Sequence, residues 1–125
     1  MTFALWTILA ASVLPDLCAA AAKYGGPGYD NASPRSSLEA LTGWRRRADW
    51  AQRNHFEALP PFAAGVLTAH LVHAPQGVVN WLAGGFILAR LAYTAAYVGD
   101  TPNLRSLLFG LGFACVIGLF CAGLL

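Results

Sequence analysis

The chain has 125 residues, of which 57% are hydrophobic and 11% are charged, with a mean hydropathy of +0.52 and a formal net charge of +2. This balance is too apolar for a water-soluble domain of this length. The charges are also segregated, because only four charged side chains lie outside residues 23–57: Asp16, Arg90, Asp100 and Arg105. The sequence therefore predicts a polytopic membrane protein.

Four segments are predicted to span the membrane as the helices of one all-α, up-down four-helix bundle that occupies the whole chain. A helix needs about 20 apolar residues to cross the hydrocarbon. Backbone groups in lipid must be satisfied within the segment, which favours helices over strands. The predicted spans are residues 2–22, 53–72, 78–98 and 104–125.

The first segment has an alternative interpretation as a signal peptide, because residues 17–21 (LCAAA) resemble a small-residue cleavage site. The segment lacks a basic n-region, however, and Pro15-Asp16-Leu17 before Cys18 does not suit a lipoprotein cleavage site. We therefore interpret it as the first span.

Residues 23–52 form the long predicted connection between the first two spans. Residues 24–35 are rich in Gly, Pro, Asn and Ser and predict a loop. A helix is then expected to begin at Ser36 or Ser37, with Ser36 and Glu39 spaced as a capping box, and to continue into the second span. We interpret the arginines at 45–47 as a solvated stop signal that faces lipid headgroups, rather than as a nucleic-acid patch.

The distribution of basic residues predicts the orientation in the membrane. Residues 23–52 carry most of the Lys and Arg, Arg105 borders the connection at 99–103, and the turn at 73–77 carries none. The positive-inside rule then places the 23–52 and 99–103 connections in the cytoplasm and both termini outside.

The last segment carries small residues at strict four-residue spacing, at Gly110, Ala114, Gly118 and Ala122. Such a ridge allows close helix packing in lipid, where dispersion contacts rather than hydrophobicity drive association. We predict a structural role for it and no chemistry.

The cysteine and histidine residues do not predict a metal or redox site. Cys18, Cys115 and Cys121 are isolated in apolar segments and are typical of small hydrophobic residues. His70 and His73 are three residues apart, but no carboxylate or cysteine completes a ligand set. We interpret both as polar residues at the outer membrane interface.

Two polar faces interrupt the apolar segments. Arg53, Asn54 and Glu57 share one helix face, and Arg90 lies in the third span. An ionisable group inside a bilayer costs at least about 2.5 kcal/mol, so it needs a partner. At about 1.5 Å per residue, Glu57 lies ~6 Å and Arg90 ~12 Å from the cytoplasmic boundary, a difference that an arginine's length covers. We therefore expect an ion pair between Glu57 and Arg90.

More arginines and phenols gather at the same end. Tyr93 and Tyr97 follow Arg90 at the third and seventh positions, and Arg105 opens the fourth span. Guanidinium groups bind carboxylates through two parallel hydrogen bonds. This cluster therefore suits a small polyanionic ligand.

These motifs resemble one known family. The spacing Arg53-Asn54-x-x-Glu57, the spacing Arg90-x-x-Tyr93-x-x-x-Tyr97, and Arg105 are similar to the MAPEG family, the membrane-associated proteins of eicosanoid and glutathione metabolism. The stretch from Tyr29-Asp30-Asn31 through Pro34-Arg35 to Gly43-Trp44 resembles the small bacterial branch of that family.

The resemblance implies a homotrimer of four-helix units in a bacterial inner membrane, with glutathione as co-substrate bound between subunits at the cytoplasmic side. Arg105 would stabilise the glutathione thiolate, which a nearby cation favours because a free thiol with a pKa of about 8.5 is mostly protonated at neutral pH. A hydrophobic, lipid-like electrophile would reach the thiolate from the bilayer. The residues implied to hold the tripeptide are Arg53, Asn54, Glu57, Arg90, Tyr93 and Tyr97.

Some positions depart from the enzymes of the family. Tyr93 stands where the prostaglandin-isomerase branch has histidine and the leukotriene branch has tyrosine, and Phe109 and Phe113 replace polar residues of the prostaglandin branch. Only Lys23 supplies a basic residue at the end of the first span. Two functions therefore remain open: a glutathione-dependent transferase or peroxidase, and a non-catalytic protein that binds lipid or a partner. Another small anionic thiol could also take the place of glutathione.

Overall fold

A computed structural model describes all residues from Met1 to Leu125 and contains helices and no strand, which confirms the all-α prediction. Four of the helices are long, and a short helix precedes the second long one. In chain order they are α1 (Phe3–Tyr24), α2 (Pro34–Glu39), α3 (Gly43–Leu71), α4 (Gln76–Val98) and α5 (Pro102–Cys121), followed by a 3-10 turn at Ala122–Leu124.

Three of the four long helices have the length and apolar composition of membrane-spanning helices. These are α1, α4 and α5, the last together with the 3-10 turn. The longest helix, α3, does not meet the same criterion, because charged and polar residues extend through its first half as far as Glu57. The apolar part of α3 nevertheless packs against α1, α4 and α5.

The core lies where these four helices meet and combines small residues with a few large ones. Phe62 of α3 stacks on Phe86 of α4, with ring centroids 3.8 Å apart and an angle of 7° between the ring planes. Small side chains around this pair let the helix backbones approach closely, as is common for helices in lipid. The other fully buried core residues include Ala4, Ala11, Val66, Ala69, Val79, Ala83 and Leu119.

The prediction of one helix that begins at Ser36 or Ser37 and continues unbroken into the second span is wrong in two respects. Helix α2 begins at Pro34, whose fixed φ favours the first helical position. It ends at Glu39. The backbone is extended at Thr42, and Gly43, the first residue of α3, has a φ of +65°, so the two helices are not continuous. The break turns the chain before α3 begins.

The arginines at 45–47 are partly buried and bind backbone carbonyl groups, so the prediction that they are solvated is wrong. Arg45 Nε donates to Ala22 O at 2.9 Å, at the C-terminal end of α1. Arg47 Nε donates to Val98 O at 3.0 Å, at the C-terminal end of α4. Carbonyl groups at helix C-termini lack intrahelical partners, and cationic donors satisfy them. These arginines join the ends of α1, α3 and α4 at one end of the molecule, here called the loop end.

The opposite end, here called the turn end, is held by neutral hydrogen bonds. Thr2 Oγ1 lies 2.8 Å from His70 Nε2, which joins the start of α1 to the last turn of α3. Asn80 Oδ1 accepts a hydrogen bond from the backbone N–H of Ala4 at 3.2 Å, which joins α1 to α4. Helices α1 and α3 therefore run antiparallel over the same thickness.

The small-residue ridge of the last segment packs within the chain only over its second half. Gly110 has no neighbouring atom within 4 Å of the position of a Cβ, and Ala114 is exposed. A Cβ at Gly118 would instead lie 3.0 Å from the Leu82 side chain, and Ala122 is buried in the core. The predicted close packing is therefore present at Gly118 and Ala122 but not at the other two positions.

Candidate functional site

The most unusual side chain of the molecule is Arg90 in α4, which is only 2% exposed. Its Nη2 donates to Asn54 Oδ1 at 2.8 Å. Its Nε and Nη2 lie 3.2 and 3.0 Å from His55 Nδ1. Both partners belong to α3 and neither carries a negative charge. Arg90 is therefore a buried cation that the chain holds in place without a counter-ion.

The ion pair predicted between Glu57 and Arg90 is wrong within the chain. The two ion pairs of the structure are both formed by Asp49, and Glu57 takes part in neither. The reason is the rotation of α3, because it turns His55 toward α4 while the side chain of Glu57 remains exposed. Glu57 and Arg90 instead line the same cavity.

A row in which two phenol rings lie between two guanidinium groups extends from Arg90 to the loop end. The guanidinium carbon of Arg90 lies 4.1 Å from the centre of the Tyr93 ring. The Tyr93 and Tyr97 rings meet edge to face, with centroids 5.6 Å apart. The guanidinium carbon of Arg105 lies 4.7 Å from the Tyr97 ring centre. Cation–π contacts of this length are attractive and orient the guanidinium groups. The structure thus brings together these four residues, which the sequence analysis had grouped.

Arg53 lies in a different electrostatic environment. Its Nη2 is 3.3 Å from Asp49 Oδ2, and its side chain is 57% exposed, whereas the side chain of Asp49 is 3% exposed. The same carboxylate oxygen is 3.4 Å from Arg46 Nη1. Asp49 therefore compensates part of the positive charge at the start of α3.

Two cavities adjoin this cluster and share Asn54 and Glu57 in their walls. A cavity of about 360 Å³ opens beside Trp50, Arg53 and Tyr97. A second, of about 170 Å³, lies deeper between α3, α4 and α5 and contains Arg90. The deeper cavity is mostly apolar away from Arg90, and its remaining lining residues include Pro61, Phe86, Phe109, Phe113 and Val116. Two neighbouring cavities of different character, one polar and one mostly apolar, thus share a wall.

Sequence reasoning missed two polar residues of this region, His55 and Asp49. His55 is 3% exposed and lies between Arg90 and Thr94, whose Oγ1 is 2.7 Å from His55 Nε2. One signal was available, since His55 stands next to Asn54 and is the only histidine among the charged residues of 23–57. Its direction toward α4 depends on helix rotation, which spacing alone does not supply.

No group of three or more His, Cys, Asp or Glu side chains converges in a way that could hold a metal ion. The three cysteines are free, and only Cys18 is buried. The chemical groups at the site are guanidinium, phenol, amide, imidazole, hydroxyl and carboxylate. Guanidinium groups in general are suited to binding anions.

The apolar helices and the arginine site set among them define an integral membrane protein. A profile described as the MAPEG family matches residues 3–125, and the chain belongs to that family. The resemblance found in the motifs is thereby confirmed. The family includes glutathione transferases and peroxidases as well as non-catalytic members. The chain matched no curated protein and no solved structure.

Proposed function

We propose that the chain is a membrane-embedded, glutathione-dependent transferase or peroxidase that acts on hydrophobic electrophiles. The observation that carries this proposal is the environment of Arg90, a buried guanidinium whose hydrogen-bond partners are all neutral. A buried charge is costly unless an opposite charge or a metal compensates it. A carboxylate of a bound ligand would supply that charge.

Glutathione matches the charges of the cluster. The tripeptide carries two carboxylates, one ammonium group and one thiol. Arg90 and the exposed Arg53 would each hold a carboxylate, and Glu57, which has no ion-pair partner in the chain, would hold the ammonium group. Asn54 would contribute its amide, because it lines both cavities.

Arg105 is the proposed catalytic residue, because its guanidinium is free of ion pairs and lies over the ring of Tyr97, which lines the polar cavity. A cation beside the thiol favours the thiolate, which is the reactive form. The thiolate sulfur would attack an electrophilic carbon to form an S–C bond, and the leaving group would depart with the electron pair of the broken bond. The thiol proton would pass to water. Tyr93 and Tyr97 would keep the two arginines oriented on either side of the ligand.

We also propose that the functional unit is a homotrimer with the site between subunits. Trp50, Arg53 and Glu57 line a strip on α3 that is exposed in one chain. Arg53 reaches water at the loop end, but Glu57 lies one turn further along α3, where a charged group facing lipid would be expensive. A neighbouring copy would cover this strip. Light scattering of the detergent-solubilised protein, corrected for detergent mass, tests the stoichiometry, and a monomer that still binds glutathione would contradict it.

The proposed topology has four spans, with the loop end in the cytoplasm of a bacterial cell and the site facing the inner side of its inner membrane. The antiparallel pairing of α1 and α3 supports a crossing by α3, because contacts join them at both ends. A cysteine placed at Ser33 in a cysteine-free background should react with an impermeant maleimide only in inverted vesicles. One placed at Gln76 should react from outside, and the reverse pattern would contradict the orientation.

A non-catalytic role in binding a lipid or a protein partner is the second candidate. The observation that favours it is the apolar interior of the deeper cavity, where Phe109 and Phe113 stand beside Arg90. An anionic lipid would place its headgroup on the arginines and its chain along these rings. Binding without turnover would distinguish this function from catalysis.

The test of the enzyme proposal combines binding with thiolate formation. Calorimetric titration of the purified protein with glutathione should show saturable binding, and an ultraviolet thiolate band should appear with it. Arg105→Ala should remove the band while leaving thermal stability nearly unchanged, because Arg105 makes no ion pair and is only partly buried. Arg105→Lys keeps the charge and loses the planar fork, so partial retention of the band is expected.

The outcomes separate the two candidate functions. If wild-type protein shows neither a thiolate band nor conjugation of a generic aryl halide at millimolar glutathione, the enzyme proposal fails. Saturable binding of anionic lipid in the same preparation would then support the second candidate.

A further inference from the structure

The hydrogen bonds around His55 determine which of its nitrogens carries the proton. An arginine guanidinium has donors and no acceptor. Because Arg90 Nε and Nη2 both approach His55 Nδ1, at 3.2 and 3.0 Å, that nitrogen must be the unprotonated acceptor. The proton of the neutral ring is then on Nε2, which donates to Thr94 Oγ1 at 2.7 Å.

Thr94 completes a closed set of hydrogen bonds. Its hydroxyl accepts from His55 Nε2 and donates to the backbone carbonyl of Arg90 at 2.9 Å. Thr94 lies one turn beyond Arg90 on α4, so the same helix provides the cation, the carbonyl and the hydroxyl. Both ring nitrogens of His55 and the hydroxyl of Thr94 have their partners, and exchanging the two ring nitrogens would leave a donor facing a donor.

We propose that His55 is a positioning residue that orients the Arg90 guanidinium through a neutral imidazole and thereby leaves its positive charge available to an anionic ligand. This inference rests on the proposed function for its ligand, although the geometry of His55 stands independently. The hydrogen bonds of Arg90 use Nε and Nη2, which leaves Nη1 without a partner in the chain. Arg90 also lines the deeper cavity, where a ligand carboxylate would meet it.

A carboxylate in place of the imidazole would orient the Arg90 guanidinium equally well. It would also neutralise the positive charge of the guanidinium, and the attraction of Arg90 for a second anion would fall. Arg53 illustrates that case, since Asp49 already pairs with it at 3.3 Å. His55 thus orients the Arg90 guanidinium without neutralising its charge.

The first test observes the tautomer directly by nitrogen-15 NMR of histidine-labelled protein in detergent, without any ligand. His55 should show an unprotonated Nδ1 and a protonated Nε2. His70 is an internal reference with the opposite pattern, because its Nδ1 lies 2.8 Å from the Val66 carbonyl and must be the donor. The spectrum of His55→Asn assigns the signals, and a protonated Nδ1 at His55 would overturn the proposal.

The second test uses a pair of variants that differ only in charge. In His55→Asn the amide Oδ1 takes the position of Nδ1 as a neutral acceptor, and glutathione affinity should fall by no more than about threefold, the cost of one less rigid side chain. His55→Asp has the same shape but adds a negative charge beside Arg90. It should bind glutathione about tenfold more weakly than His55→Asn, with no loss of thermal stability.

Failure of the role proposed for His55 and failure of the proposed function give different results in these tests. Equal affinities of the Asn and Asp variants would overturn the role of the neutral imidazole, whatever the tautomer. If the wild-type protein binds no glutathione, the proposed function fails. The NMR spectrum still decides in that case whether His55 holds Arg90 as a neutral acceptor.

Discussion

Arg53 and Arg90 illustrate how differently one residue type behaves in two regions of the same site. Arg53 stands at the loop end with 57% of its side chain exposed and an aspartate 3.3 Å away. Arg90 lies deeper, 2% exposed, with an imidazole and an amide as its partners. The first charge is solvated and compensated, whereas the second is neither.

The comparison shows that burial and compensation together decide how strongly a cation binds an anion. An exposed, paired arginine offers a new ligand only a modest gain, because water and the existing carboxylate already stabilise it. A buried arginine with neutral partners gains much more, since its desolvation has already occurred on folding. Glutathione affinity should therefore depend more on Arg90 than on Arg53.

Arg90→Leu should produce the largest effect on binding. Removing a buried charge that meets an oppositely charged ligand typically costs 2 kcal/mol or more, so affinity should fall by at least about 30-fold. The change also leaves Nδ1 of His55 and Oδ1 of Asn54 without a donor, which should reduce the free energy of unfolding by about 1–3 kcal/mol. Calorimetric titration and detergent thermal unfolding measure the two effects. Arg35→Leu, at an exposed arginine of α2, is the control for loss of net charge and should change neither.

Arg53→Ala should produce a smaller loss of affinity. Because Asp49 already compensates Arg53 and water screens it, the loss should stay below about tenfold, or 1.4 kcal/mol. The same titration measures it. A loss as large as that of Arg90→Leu would mean that Asp49 leaves Arg53 on ligand binding, and the contrast between the two arginines would then be broken.

Glu57→Gln should produce the smallest change in stability. An ion pair with buried Arg90 would make this substitution cost about 3–5 kcal/mol. The observed partners of Arg90 are His55 and Asn54, so the free energy of unfolding should change by less than about 1 kcal/mol. Thermal unfolding without glutathione is the measurement. A drop of several kcal/mol would show that Glu57 compensates a buried cation after all, in the same chain or in a neighbouring copy.

Much of the site's layout was predictable because it follows from helical spacing. Arg90, Tyr93 and Tyr97 recur at the third and seventh positions, and such residues share one helix face in any α-helix. Arg105 opens the next helix after a short connection, so its proximity to Tyr97 follows from chain continuity. These contacts needed no knowledge of how separate helices are rotated.

The partners of the charges were not predictable in the same way. The ion pair between Glu57 and Arg90 was predicted from the similar depth of the two residues in the membrane. Depth depends only on the position of a residue along its helix. His55 lies only two residues earlier, yet it is buried while Glu57 is exposed. Residues two positions apart lie about 200° from each other around the helix axis, so the rotation of α3, which depth does not specify, decides which of the two faces α4. The pairing of Asp49 with Arg53 is a different case, because the two residues lie four apart on α3 and helical spacing alone was enough to predict it.

The sequence by itself determined the class of protein, the helical content and the family, since apolar composition, segregated charge and motif spacing are properties of residues taken singly or along one helix. Only the tertiary structure decided which side chains meet the buried charge of Arg90. It replaced an expected carboxylate beside Arg90 with a neutral imidazole, and it tied the arginines at 45–47 to carbonyl groups at helix ends. The physical reason is that hydrogen bonds and ion pairs act over a few ångströms between helices, and the rotation and packing of all four long helices set those distances.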